Sequence, residues 1–364
     1  MADFHELLAS YDYQLPLERI AQEPCAQRDG ARLLVAPPLE RAFEDKRVTD
    51  LPDLLRSGDL LVFNDTRVRP ARLEGVRCAT GGRAELLVLE CTATTLRGLL
   101  KTRGTPAVGE RFEFGAGRVV LRHAQDLGDG LLELHHDAGD AFAALLEGCG
   151  RMPLPPYIQR QRGCDPRDSM DRERYQTVYA REDGAAAAPT AGLHFTPALL
   201  QHLSAVGVQH TFVTLHVGLG TFKPVTAENL GEHVMHTEAY TISAAAAAAV
   251  RECRARGGRV IPVGTTALRA LESGAALVAA RSQSGEFVFE ACSGVTRLFL
   301  RPPCAFRCAD LLFTNFHAPR STLFVLVAAW CGLERIHAAY AHALAQQYRF
   351  LSYGDACLLS PARI

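Results

Sequence analysis

Short stretches of this chain collect the residue types that move protons and hold anions. P-T-A-G-L-H-F-T (189–196) sets His194 beside Thr190 and Gly192, directly after four alanines whose own preference is helical. V-G-T-T-A-L-R (263–269) carries Gly264, Thr265 and Thr266, and T-N-F-H-A-P-R-S-T-L (314–323) carries Asn315 and His317. H-V-G-L-G-T-F-K-P-V (216–225) adds His216, Gly218, Gly220, Thr221 and Lys223. F-N-D-T-R-V-R-P (63–70) adds Asn64, Asp65, Arg67 and Arg69. An imidazole titrates close to neutrality and serves as acid or base. A lysine holds a carboxylate or another anion, and glycines let a backbone come close to a ligand. Each stretch alone has a plainer use: Thr265 as a helix cap, Gly264 as a turn, Asn315 and His317 as partners for buried backbone groups. Their accumulation is what turns alone do not explain.

The elements that must position these residues follow from the pattern around them. D-L-L-V-F (59–63), Q-H-T-F-V-T-L-H-V, R-V-I-P-V-G and D-L-L-F-T-N-F read as strands, and each of the last four polar stretches follows one of them. Ligands bind at such carboxyl ends in open α/β sheets. Helices are expected over T-P-A-L-L-Q-H-L-S-A-V-G, over the alanine-rich run capped by Ser243, over T-T-A-L-R-A-L-E-S, and as one long helix from Ser321. Between about 66 and 145 the texture differs. Short alternating runs such as A-E-L-L-V-L-E and G-R-V-V-L-R-H are separated by glycine turns, the pattern of a small antiparallel barrel. D-A-F-A-A-L-L-E-G then reads as a short helix, and G-R-M-P-L-P-P-Y-I as a boundary. The expected fold is a layered α/β domain (1–65 and 150–364) interrupted by an inserted β-barrel domain (66–149).

Composition removes several classes. The chain has 364 residues, 48% of them hydrophobic and 22% charged, an ordinary balance for a globular protein. No apolar run is long enough to span a bilayer, and the acid-bearing start M-A-D-F-H-E is unlike a signal peptide, so a cytoplasmic protein without a membrane role is expected. The 11 cysteines include no C-x-x-C pair, which argues against disulfides and zinc and treats them as small buried hydrophobes. His233-x-x-His236 lacks the H-E-x-x-H order and reads as structural, so no metal is expected. Walker, dinucleotide-binding G-x-G-x-x-G and serine-elbow G-x-S-x-G patterns are all missing. Net charge is −1, but seven arginines against four acids between 151 and 181 give a local +3. The stretch from Asp65 to Arg83 is similarly basic.

Together F-N-D-T-R-V-R-P-A-R-L, D-R-E-R-Y-Q-T-V-Y-A, A-A-P-T-A-G-L-H-F-T, L-H-V-G-L-G-T-F-K-P-V, V-G-T-T-A-L-R-A-L-E-S, T-N-F-H-A-P-R-S-T-L and Y-R-F-L-S-Y-G-D-A resemble the S-adenosylmethionine:tRNA ribosyltransferase-isomerase family of queuosine biosynthesis. The resemblance runs from about residue 10 to residue 360, with Pro303 and Ala318 as small departures. It implies a transferase that takes S-adenosylmethionine as ribosyl donor, with no metal. The acceptor is 7-aminomethyl-7-deazaguanine at the wobble position of a tRNA anticodon arm, the products are epoxyqueuosine, adenine and methionine, and the enzyme acts as a monomer. Such chemistry needs a base for the ribose C5′ protons beside the sulfonium and an acid for the departing adenine. His194 and His317 are the candidates. Asp65 and Asp355 would orient the amine or ribose hydroxyls, and Lys223 would hold the methionine carboxylate or stabilise developing negative charge. Phosphates of the tRNA would meet the arginine-rich stretches, with Arg160, Arg172 and Arg174 foremost. Tyr175, Tyr179 or Tyr353 would stack a splayed base.

Overall fold

A computed structural model describes residues 6–38, 41–128, 130–139, 141–218, 225, 227–281 and 288–362. The apolar strand Leu60–Asn64 is buried at every position, as a strand covered on both faces must be. It lies between Val260–Pro262 and Gln209–Leu215, parallel to both. Glu238–Ile242 and Cys292–Thr296 continue the sheet antiparallel, making it five-stranded. Pro262, which has no amide hydrogen, sits on the edge strand. A second, four-stranded sheet runs in the order Leu312–Asn315, Ala356–Leu359, Arg32–Ala36, Glu44–Arg47. One parallel bridge, Val263 to Phe313, joins the two sheets.

Alternation within the strands divides the core. Leu61, Phe63, Ile261 and Val263 from the first sheet share one core with Leu33, Phe313, Ala356 and Leu358 from the second. On the opposite face the cores separate. Leu60, Val62 and Val213 pack under the helices Ala244–Ala255 and Thr265–Arg281, whereas Leu34, Leu312 and Leu359 pack under Thr322–Cys331 and Leu333–Ala345. The helix Thr265–Arg281 lies over the seam. Its Ala267, Ala270, Leu271 and Ala275 enter the first sheet's core, and its Leu268 enters the second's.

The expected barrel is closed and wholly antiparallel, in the order Leu131–His135, Thr95–Thr102, Arg83–Cys91, Arg72–Arg77, Arg111–Phe114, Val119–Asp126. Ala84, Leu86 and Val88 point inward with Phe112, Phe114 and Leu134, and Phe142 and Leu146 of the helix Ala141–Cys149 close one side. Gly75 is required there: a Cβ would stand 2.2 Å from the Glu113 carbonyl oxygen.

Caps fall where the sequence places them. Ser243 Oγ accepts from Ala246 N at 3.1 Å, and Thr196 Oγ1 from Leu199 N at 3.0 Å ahead of Pro197. Three expectations are corrected. The long helix from Ser321 is two helices bent by 112° at Gly332, whose φ of 89° ends the first one. The four alanines make no helix, because Ala185 ends the strand Glu182–Ala185 and the next three are buried in a bend before a 3-10 turn, Thr190–His194. Of the cysteines only Cys253, Cys308, Cys331 and Cys357 are buried, while Cys78, Cys91 and Cys164 are exposed, and all are free thiols. Among the described residues no single helix is long and apolar enough to cross a membrane.

Candidate active site

A cavity of about 190 Å³ opens at the seam between the sheets, over the carboxyl ends of Val260–Pro262 and Leu312–Asn315. Its walls come from Thr190, Gly264, Thr265, Thr266, Asn315 and His317, all expected there, and from Tyr157, Thr314, Ser321, Leu323 and Ser352. Gly264 has φ of 93°, which turns the chain from strand into helix with its amide donated to Phe313 O at 2.7 Å. The first turn of helix Thr265–Arg281 therefore faces the cavity with amides that have no intrahelical acceptor.

Asn315 fixes the polar end. Its Nδ2 donates to Leu351 O at 3.2 Å and stands 3.3 Å from His194 Nε2. The carbonyl at Leu351 requires a donor, so the amide oxygen must point the other way, and that Oδ1 is buried without a partner. His317 Nε2 lies 2.9 Å from Thr314 Oγ1, its amide donates to Tyr340 Oη at 2.8 Å, and its carbonyl accepts from the Tyr13 hydroxyl. Burial pushes the His317 imidazole down to about 3. Burial, assisted by the positive Arg349, pushes His194 down to about 4. Both rings are neutral at pH 7, so neither is the ready imidazolium acid expected from an ordinary histidine. Tyr157 Oη and Ser352 Oγ are 2.7 Å apart on the wall, and burial raises the phenol to about 12, leaving it a hydrogen-bonding hydroxyl.

Several expected residues stand elsewhere. His194 does not line the cavity: it lies behind Asn315, edge-on to Phe313. Gly192 makes room for a neighbour instead of a ligand, because a Cβ would fall 2.0 Å from Tyr179 Oη. Asn64 clamps two strands, donating to Leu215 O and accepting from Leu215 N. Asp65 is consumed by Thr214 Oγ1 at 2.7 Å and Arg181 at 2.8 Å. Asp355 accepts from the amides of Arg32 and Arg349. The Tyr353 hydroxyl donates to Asp171 at 2.8 Å. None of these four lines the cavity; backbone groups use the polar atoms of Asn64 and Asp355, and other side chains use those of Asp65 and Tyr353. Gly220, Thr221 and Lys223 lie outside the described residues.

A wider cleft runs between barrel and sheet, lined by Arg69, Val88, Leu99, Leu131, His216 and Gly218, and the buried Val217 is a wall of both it and the cavity. His216 Nδ1 is 2.9 Å from Thr66 Oγ1, and Arg69 and Arg67 reach Asp183 at 2.9 and 3.9 Å.

The expected tRNA face is mostly internal. Arg160 grips Asp171 through Nε at 2.6 Å and Nη2 at 2.9 Å, with both side chains buried. Tyr175 is fully buried, edge-on to Tyr353, so it presents no ring for stacking. Arg174 donates to Cys25 O and Ala26 O, and Arg172 to Glu147 O and Gly150 O with its guanidinium half exposed. By contrast Arg83, Lys101, Arg103 and Arg162 stand exposed round one recess, and that recess's acids, Glu74 and Glu85, are occupied by Arg151 and Arg72. Among the described residues no three His, Cys, Asp or Glu side chains are grouped to hold a metal ion, and His233 packs edge-on against Phe299. Ala318 lines the cavity, whereas Pro303 is exposed.

Ser352 is the cavity residue that reading by motif passes over. Ser352 is the neighbour of Tyr353 in Y-R-F-L-S-Y-G-D-A, and the larger residue draws attention though it points inward.

Known proteins resemble this chain over nearly its whole length. The S-adenosylmethionine:tRNA ribosyltransferase-isomerase of Anaeromyxobacter sp. (strain Fw109-5) is 50% identical over 98% of this chain and 99% of its own. The protein of the same name from Stenotrophomonas maltophilia (strain R551-3) is 48% identical over 97% and 98%. The crystal structure of S-adenosylmethionine tRNA ribosyltransferase from Thermotoga maritima superposes with a TM-score of 0.52 at 31% identity, covering 96% of this chain and 99% of that one. The family model described as queuosine biosynthesis protein matches residues 8–359, and with it the chain belongs to that family.

Proposed function

We propose that the chain is an S-adenosylmethionine:tRNA ribosyltransferase-isomerase: it transfers the ribosyl group of S-adenosylmethionine to 7-aminomethyl-7-deazaguanine in tRNA and isomerises it, releasing adenine and methionine. Relatives at 46–50% identity carry that name. The observation that carries the reading onto this chain is the cavity at the seam, lined by Asn315, whose buried Oδ1 has no partner, and by a neutral His317. An acceptor oxygen there suits an adenine amino group or a ribose hydroxyl. A mostly apolar wall, with the positive Arg320 on it, also favours the neutral amine that must attack. The neutral His317 imidazole is the proton acceptor on the wall, and His194 holds Asn315 in orientation. Lys223 is retained for the developing negative charge.

The cleft on the other side of Val217 is the entrance for the wobble nucleotide, with Arg69, His216 and Gly218 along it. The exposed Arg83, Lys101, Arg103 and Arg162 take phosphates of the anticodon arm, in place of the internally used Arg160 and Arg174. On this reading residues 66–149 form an inserted barrel domain, 1–65 with 150–364 form the catalytic one, and a single cytoplasmic chain is sufficient for turnover. The test is incubation with S-adenosylmethionine and an anticodon stem-loop carrying the aminomethyl-deazaguanine, followed by mass analysis. Free adenine and methionine with a ribosyl-derived mass gain on the RNA are expected. S-adenosylhomocysteine, or no turnover by folded protein, would refute the assignment.

A further inference from the structure

His317 is held at three of its four polar atoms. Its amide donates to Tyr340 Oη at 2.8 Å, its carbonyl accepts from the Tyr13 hydroxyl, and its Nε2 lies 2.9 Å from Thr314 Oγ1. The two tyrosine rings brace each other edge-on, with centroids 5.2 Å apart at 82°. Tyr340 and Thr314 are each 1% exposed, so both partners are packed in place. Thr314 belongs to the strand Leu312–Asn315, where its pairing with Cys357 fixes the backbone. A β-branched side chain on such a strand is stiff at its first torsion. The hydroxyl oxygen is therefore a fixed point against which the imidazole is set. Among the described residues the fourth polar atom, Nδ1, bonds to no group of the chain, and the ring lines the cavity.

A neutral imidazole carries one ring proton, and the bond made by one nitrogen decides what the other can do. If Thr314 donates to Nε2, the proton sits on Nδ1 and the ring shows the cavity a donor. If Nε2–H donates to Oγ1, Nδ1 keeps its lone pair and shows the cavity an acceptor. Only the second arrangement serves the proton abstraction proposed above. It also survives charging of the ring, since Nε2–H then donates more strongly to the same oxygen. That matters because burial penalises the imidazolium, and among the described residues Oγ1 is the one atom hydrogen-bonded to the ring. Thr314 lines the cavity too, so its own hydroxyl hydrogen has an outlet there. We infer that Thr314 is a positioning residue for the ribosyl transfer: its hydroxyl oxygen holds His317 as the Nε2–H tautomer and so aims the bare Nδ1 at the substrate. The inference rests on the ribosyl-transfer reading. In the step it serves, the C5′–H bond beside the sulfonium breaks and its electron pair stays on carbon. The proton passes to Nδ1, and the resulting imidazolium hands it to the departing adenine.

The test reads tautomer and rate separately in the full-length wild type, T314S, T314V and H317Q. Nitrogen-15 labelling of the histidines reports which ring nitrogen carries the proton, and H317Q identifies the His317 signals. Adenine release with S-adenosylmethionine and the aminomethyl-deazaguanine stem-loop supplies kcat and KM. The wild type should show Nε2–H with a bare Nδ1, and T314S, which keeps the hydroxyl, should match it in both readouts. T314V should lose the tautomer preference and lower kcat at least about tenfold, part of what a general base contributes, with KM unchanged. T314V placed in H317Q should add no further loss, because the threonine acts only through the ring. A bare Nε2 in the wild type overturns the inference, and that measurement needs no variant to fold. Unchanged kcat in T314V, or a loss that persists undiminished in H317Q, overturns it as well. A wild type that shows the bare Nδ1 but releases no adenine refutes ribosyl transfer and, with it, the base that Thr314 positions.

Discussion

His194 Nε2 stands 3.3 Å from Asn315 Nδ2, and through that amide the buried imidazole touches the cavity wall. A protonated His194 would set one donor against another, so the contact and the depressed pKa describe the same neutral ring. The two histidines should therefore fail differently. H317Q, on the wall, is expected to lower kcat about a hundredfold, within the range of a missing proton acceptor. H194Q is expected to raise KM by about two- to tenfold, the size of one hydrogen bond, with kcat almost unchanged. Steady-state kinetics with saturating RNA separate the two, and an equal loss of kcat in both would refute the division.

Acid sensitivity follows from the same rings. Their pKa values of about 4 and about 3 lie below the unfolded value near 6.5. The unfolded chain thus takes up protons first as pH falls. The stability tied to neutral imidazoles is complete above about pH 6.5 and declines progressively towards the folded pKa values. Between pH 7 and pH 5 the decline should approach about 2 kcal/mol for each histidine. Urea midpoints at the two pH values, in the wild type and in H194Q, measure it. An equally steep acid limb in the variant would show that His194 is not responsible.

Gly192 is a packing position. Tyr179 packs against Phe63 and Phe212, so a Cβ only 2.0 Å from its hydroxyl has nowhere to push it. G192A should cost about 1–3 kcal/mol in unfolding free energy, as overpacked cores do. A variant as stable as the wild type would show that the tyrosine moves freely.

The arginines separate by what already holds them. R160A would strand Asp171 in the interior and should cost about 3–5 kcal/mol of stability without changing the affinity of folded protein for tRNA. Alanine at Arg83 or Arg162, both exposed, should leave stability alone. Each should reduce the slope of log affinity against log salt by about 0.7–0.9 for every phosphate it no longer neutralises. Filter binding across a salt series checks both, and an unchanged slope in the surface variants would move the RNA to another face.

What can be read from the sequence is the set of segments, and what cannot is the direction of their side chains. V-G-T-T and T-N-F-H read as strand ends, and Gly264, Thr265, Thr266, Asn315 and His317 do line one cavity. Asn64, Asp65 and Asp355 have equally functional identities, but backbone amides and Arg181 claim them, a competition that only three-dimensional closure decides. The arginine-rich stretch misleads for the same reason. Net charge counts Arg160 and Arg167 as free cations, whereas Asp171 and Asp165 hold them at 2.6 and 2.8 Å. The barrel is the easier reading, since inside-outside alternation and glycine turns are local properties.

Helix Thr265–Arg281 is a keystone between two otherwise separate cores, with Leu268 pressed into one and Leu271 into the other. Its first turn forms a wall of the cavity, so the pocket inherits its shape from packing far outside it. Affinity and cohesion thereby become one linked quantity. An occupied pocket draws the two cores into a single melting unit, and a loosened core reappears as a weaker grip on substrate.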